Sequence, residues 1–196
     1  MAKKDIAIIR YNAGNIRSVL FALERLGYEG NVTDDPEHIK RASHVIFPGV
    51  GAANSAMPYL KEQGLDKLIL SLKQPFLGIC LGMQLMCAHS EEGETECLGI
   101  FDIQVEKFRH DLKVPQIGWN ACRKLQGPIF EGIEEGAYFY FVHSYFASLH
   151  MQTIAVTEYG LEYSSALHHG NFHGVQFHPE KSAHAGERLL KNFLEL

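Results

Sequence analysis

Pro75-Phe76-Leu77-Gly78-Ile79-Cys80-Leu81-Gly82-Met83-Gln84-Leu85-Met86 changes its period half-way along. Up to Cys80 it is a short continuous apolar run, the signature of a strand buried on both faces; from Leu81 onward it follows helical spacing. Cys80 therefore stands at a strand-to-helix corner, with Gly78 and Gly82 on either side of it. Working toward the N-terminus, the same grammar recurs. His44-Val45-Ile46-Phe47 is an apolar strand running into the glycine-rich loop Pro48-Gly49-Val50-Gly51-Ala52, and a helix is expected over 61–73. Asp5 to Tyr11 holds a third strand, Ile6-Ala7-Ile8-Ile9. The helix after it, over 15–26, has Ile16, Val19, Leu20, Leu23 and Leu26 on one face and stops at Gly27.

Strands alternating with helices imply parallel pairing through right-handed crossovers, and such sheets bind ligands beyond the carboxyl ends of their strands. Both the Val50 loop and Cys80 fall there. From about Gly99 the pattern becomes β-rich, with expected strands over 101–108, 138–146, 153–159 and 174–178 before a terminal helix from about Ala185. The expectation is one α/β domain over 1–196: a central, mostly parallel twisted sheet flanked by helices, flavodoxin-like, with a β-rich extension. No linker, repeat or low-complexity tract divides it.

The 196 residues are 46% hydrophobic with a net charge of -5, so a substantial core is available and no basic stripe exists to attract nucleic acid or an anionic membrane. Apolar sequence begins at Ile6 with no room for a secretory region before it, and no apolar run is long enough to span a bilayer; a cytoplasmic location is expected. The four cysteines, Cys80, Cys87, Cys97 and Cys122, show no Cys-x-x-Cys spacing and are read as reduced thiols. Of the eleven histidines, His168, His169 and His173 come closest to a metal set, but their spacing fits no zinc pattern and they are read as surface loop residues; no metal or cofactor is expected.

Gly78-Ile79-Cys80-Leu81-Gly82 has the form of a nucleophile elbow, where small residues let neighbouring backbone pass closely beneath a reactive side chain. A thiolate at a helix N-terminus is favoured by the dipole there, and the N–H of the next residue, Leu81, is placed to stabilise an oxyanion. A thiol nucleophile needs a base, and the base an orienting group. Phe177-His178-Pro179-Glu180 offers both, with Glu180 turned back toward His178 by the proline bend. Taken singly, a buried cysteine is more often a packed thiol and His-Pro-Glu an ordinary strand exit; the two together favour catalysis.

These two blocks, with Gly174-Val175-Gln176 preceding the second, resemble the class I, or triad, glutamine amidotransferases across essentially the whole chain. Tyr11-Asn12-Ala13-Gly14-Asn15, Pro48-Gly49-Val50-Gly51, Val114-Pro115-Gln116-Ile117-Gly118-Trp119-Asn120, Tyr140 to Tyr145 and His178 to Ser182 are most similar to the glutaminase subunits of imidazole glycerol phosphate synthase. That resemblance implies Cys80 as nucleophile, His178 as proton shuttle and Glu180 as its orienter. It also implies an oxyanion hole from the N–H groups of Val50 and Leu81, and glutamine held by Gly51, Gln84, His143, Ser144 and Tyr145. The implied partner is a (βα)8-barrel cyclase, joined as a heterodimer and fed ammonia through a channel, with Asn12, Asn15, Trp119, Tyr140 and Lys181 near the interface. A paralogous glutaminase serving a different synthase, for instance in glycan amino-sugar formation, is the alternative. One departure stands out: Gln116 replaces the histidine common after Val-Pro in these subunits. Because that stretch is implied to face the cyclase, the change is read as bearing on partner contacts.

Overall fold

In the computed structural model, which describes residues 4–12 and 15–196, the apolar runs become the middle of a mixed sheet. Its first five strands are parallel neighbours in the order β2 (Gly30–Thr33), β1 (Ile6–Ile9), β3 (His44–Gly49), β4 (Phe76–Cys80) and β13 (Phe172–Val175). β1, β3, β4 and β13 are buried at every position, which is why their sequences are continuous apolar runs rather than alternating ones. Alternate side chains feed two cores. Ala7, Ile9, Val45 and Phe47 meet one layer, made by α2 (Pro36–Arg41), α3 (Ala53–Glu62), α4 (Leu65–Ser71) and α5 (Leu81–Met86). Ile6, Ile8, Ile46 and Leu77 meet α1 (Ile16–Arg25) and α6 (Ala183–Leu194) on the other side.

Beyond β13 the same sheet continues through β12 (Glu162–His169), β10 (Tyr145–Ala147), β7 (Gln104–Lys107), β5 (His89–Ser90) and β6 (Thr95–Glu96), while β11 (Thr153–Glu158) pairs with β12. Its pairings are antiparallel except for β5 with β7. The expected β-rich extension is thus hydrogen-bonded to the parallel half as one 11-stranded sheet. Separate from it stands an antiparallel ribbon of β8 (Gln116–Ala121) and β9 (Tyr138–His143).

Several expected boundaries move. The helix expected over 61–73 is α4 alone; it is separated from α3, which ends at Glu62, by Gly64, whose left-handed φ of 67° a helix interior does not permit. α3 escaped the sequence reading because Ala52 offers no capping side chain and Pro58 lies inside it. The strand expected over 138–146 divides at Ser144 into β9 and β10, and the one expected over 174–178 leaves the ladder after Val175. His168, His169 and His173 do not lie in a surface loop: they occupy the facing ends of β12 and β13, with His173 buried and stacked on His168 at 4.4 Å between ring centroids. Among the described residues no helix is long and apolar enough to cross a membrane, and no group of three metal-ligating side chains converges.

Candidate active site

At the carboxyl end of β4 the chain turns sharply through Cys80, whose φ of 53° and ψ of −110° lie where a side chain is rarely tolerated. The turn survives because its flanks are stripped of side chains. A Cβ on Gly82 would come within 1.9 Å of the Phe47 carbonyl oxygen, and one on Gly78 within 2.9 Å of the Gly82 backbone. The pairing of β3 with β4 sets Gly49 opposite Cys80, so Val50 and Gly51 emerge beside the thiol. α5 has only six residues. Any help it gives a thiolate therefore comes from its first N–H groups rather than from a long axial dipole.

His178 lies just beyond β13, which neighbours β4. Its own N–H donates to Tyr140 O at 2.8 Å and its carbonyl accepts from Ser182 Oγ at 2.6 Å, which fixes the backbone on both sides. His178 Nδ1 is 2.8 Å from Glu180 Oε1, and both side chains are almost wholly buried. Burial alone would suppress the imidazolium, but the neighbouring Cys80 sulfur and the Glu180 carboxylate outweigh it and raise the His178 pKa to about 10. A cation is thus held between a sulfur and a carboxylate, the arrangement a thiolate nucleophile requires.

A cavity of about 320 Å³ opens over this pair. Cys80, Leu81, His178, Val50, Gly51 and Gln84 line it, with His143, Ser144 and Tyr145 forming a further wall. Gln84 is immobilised: its amide nitrogen donates to Tyr145 O and to Gln176 Oε1, each at 2.9 Å, and the Gln176 amide in turn points at Cys80 Sγ from 3.7 Å. His143 meets Tyr145 O through Nδ1 at 2.7 Å and the Tyr163 hydroxyl through Nε2 at 3.3 Å, so both ring nitrogens are already engaged. Desolvation, reinforced by the charge of His178, lowers its pKa to about 4 and keeps it neutral.

The described part of the chain matches the glutamine amidotransferase class-I family model over residues 8–196. The chain belongs to that family. This class-I amidotransferase is 55% identical over 194 residues to a Bacteroides fragilis protein named imidazole glycerol phosphate synthase subunit HisH, covering 97% of this chain and 99% of that one. A Vibrio vulnificus protein named imidazole glycerol phosphate synthase subunit HisH 1 is 45% identical, with both chains covered in full. Among solved structures, PurLQS from Thermotoga maritima aligns with a TM-score of 0.72 at 16% identity, over 98% of each chain. A glutamine amidotransferase from the same organism aligns with a TM-score of 0.63 at 20% identity, over 100% of this chain and 84% of that one. At such identities the likeness is one of fold.

The remaining residues singled out by sequence fall in two places, on or against the β8–β9 ribbon and between β1 and α1. Trp119 and Tyr140 are opposite each other in the β8–β9 register and meet edge to face at 6.0 Å, with Lys181 Nζ 5.9 Å above the Tyr140 ring. Trp119 remains 52% exposed and is not a core residue. Asn12 donates to Ser55 O at 3.1 Å and Asn15 caps α1 by position, whereas Ala13 and Gly14 lie outside the described residues. Gln116 requires a correction. It is buried, paired with His143 across the ribbon, and accepts the Tyr163 hydroxyl at 3.0 Å, so its side chain faces the interior. Strand alternation is the cause: Ile117 and Trp119 take the outer face and Gln116 the inner.

Sequence reasoning gave no role to Gln176, Glu92, Pro115 or Val142, yet Gln176 faces the thiol and the other three line the cavity. Gln176 had a legible signal, being a polar residue two positions before His178 in an otherwise apolar stretch. Glu92 had none, since it belongs to the acidic run Glu91-Glu92-Gly93-Glu94, which reads as solvated surface.

Proposed function

We propose that this chain, acting as one glutaminase domain over 1–196 in the cytoplasm, is the glutaminase subunit of an imidazole glycerol phosphate synthase. The observation that carries the reading is the convergence of Cys80 with the buried His178–Glu180 pair on a single cavity, read alongside relatives of 45–55% identity bearing that name. In the proposed reaction the Cys80 thiolate attacks the side-chain carbonyl carbon of glutamine, and the N–H groups of Val50 and Leu81 receive the oxyanion. His178 gives its proton to the departing nitrogen, releasing ammonia and leaving a Cys80 thioester. Water then adds as His178 takes back a proton, the carbon–sulfur bond breaks, and glutamate leaves. Glu180 holds the imidazole throughout.

Gly51, Gln84 and the His143-Ser144-Tyr145 segment hold the substrate, and Glu92 supplies a carboxylate on the cavity wall suited to its α-ammonium group. No metal or cofactor takes part. The partner is a (βα)8-barrel cyclase seated on the outer ribbon face, which carries Trp119 and Tyr140, while Lys181 stands over the Tyr140 ring and lines the cavity; Asn12 and Asn15 are assigned to the same contact. A covered path there keeps ammonia unprotonated on its way to the second site.

Glutamate release from glutamine, measured for the chain alone and with a histidine-pathway cyclase carrying its ribonucleotide substrate, tests the reading. Strong activation by the loaded cyclase is expected; hydrolysis indifferent to it would direct the search to another synthase, and no hydrolysis in either case would overturn the reading.

A further inference from the structure

α3 begins two residues after Gly51, and its N-terminus is short of the usual partner. Four N–H groups at a helix start lack intrahelical acceptors, and the residue at the cap is normally one whose side chain can accept from them. Here the cap is Ala52, which has no such atom. The acceptor comes instead from 39 positions away: Ala53 N donates to Glu92 Oε2 at 2.7 Å. Glu92 is itself held, its N–H donating to Ser90 Oγ at 3.2 Å and its carbonyl accepting Thr95 Oγ1 at 2.7 Å within the β5–β6 hairpin. The hairpin tip presses against the same turn of α3, where a Cβ on Gly93 would lie 2.6 Å from the Asn54 side chain. Glu92 also lines the cavity beside Tyr145, and its charge contributes, after burial, to raising the Tyr145 pKa.

We propose that Glu92 is a positioning residue for the oxyanion loop: its carboxylate cross-links the glutamine cavity to the first turn of α3 and thereby sets the height and orientation of the Val50-Gly51 backbone beside Cys80. This deepens the glutaminase reading and rests on it for the catalytic outcome. A hydrogen bond to a charged acceptor is short and strong, and Val50 is only three residues from the N–H it anchors. Asn12, just beyond β1, donates to Ser55 O in the same turn, so the turn is tied both to the cavity wall and to the end of β1.

The test compares Glu92→Gln with Glu92→Ala in the complex with the loaded cyclase. Glu92→Gln keeps a carbonyl oxygen for Ala53 N but loses the charge; Glu92→Ala loses both. For a residue that only binds the substrate's ammonium group, the two variants raise KM alike and leave kcat alone. For a positioning residue, Glu92→Gln raises KM about tenfold with kcat within about twofold of wild type, whereas Glu92→Ala also lowers kcat by roughly tenfold or more. Equal kcat in the two variants would overturn the proposal. Amide hydrogen exchange over residues 50–56 supplies an arm that needs no turnover: Glu92→Ala should speed exchange there while Glu92→Gln does not, at matched melting temperatures. Unchanged exchange in Glu92→Ala would also overturn it, whereas wild-type protein without glutaminase activity would remove the glutaminase reading alone.

Discussion

The β3–β4 corner and the β8–β9 ribbon lie on the same cavity yet are built on opposite terms. Around Cys80 every strand residue from Phe76 to Cys80 is buried, and two glycines exist because a methyl group would strike backbone. On the ribbon, burial alternates: Phe139, Phe141 and His143 point inward while Tyr138, Tyr140 and Val142 do not. Phe139 and Phe141 pack on Phe177 at 4.0 and 5.7 Å, which holds the inner face and frees the outer one, where Ile117, Trp119 and Tyr138 are each more than half exposed. A fully buried element can hold a strained nucleophile because its neighbours over-determine it. A half-buried ribbon can spend its free face on a partner without disturbing the chemistry.

The contrast can be broken most directly at the thiol. Cys80→Ala should abolish glutamine-dependent synthesis in the complex and leave synthesis from added ammonium salt intact; losing both would show that the corner also shapes the ammonia path. Next in size is Gly82→Ala. Its new methyl group meets the Phe47 carbonyl, so a loss of about 3 kcal/mol is expected, read as a fall in melting temperature of roughly 6–12 °C. A drop of a degree or two would mean that the corner is looser than its burial implies.

On the ribbon the two faces should separate cleanly. Trp119→Ala should weaken cyclase binding by about 2 kcal/mol while barely moving the melting temperature, whereas Gln116→His, on the inner face, should alter the affinity less than about twofold. The reverse order, by titration calorimetry, would invert the assignment of faces. The pH dependence tests the buried histidines. His178 has a folded pKa raised to about 10, so its stabilisation is complete below the unfolded value near 6.5 and is lost as pH rises through 10. His143 and His173 are shifted the other way, chiefly by burial, to about 4, and so contribute stability above pH 6.5 that is lost as the pH falls toward 4. Thermal melts should therefore weaken at both ends, with Cys80→Ala flattening the alkaline limb and His173→Phe the acidic one.

Much of the site was readable because its parts are local. The strained corner needs Gly78, Cys80 and Gly82 within five residues, and the base needs its carboxylate two residues on; period and glycine placement suffice to see both. The parallel half of the sheet was readable for a similar reason, since strands buried on both faces announce themselves as apolar runs. Where the reading failed, the missing information was pairing. Gln116 belongs to a stretch implied to face the cyclase, yet its own side chain is turned inward, because the register of β8 against β9 decides which side of the ribbon a residue occupies. A one-residue offset exchanges the faces, and nothing in Val114 to Asn120 marks it.

The sequence by itself determined the strand-to-helix corner at Cys80, the neighbouring His178–Glu180 couple, the α/β class and the family, because each is written within a few residues or along one repeated pattern. Only the tertiary structure decided that Gln176 faces the thiol, that Glu92 caps a helix 39 positions away, and that Trp119 is exposed rather than core. Those facts depend on which strands become neighbours and in what register, and hydrogen bonds between distant segments exist only after the chain has closed on itself.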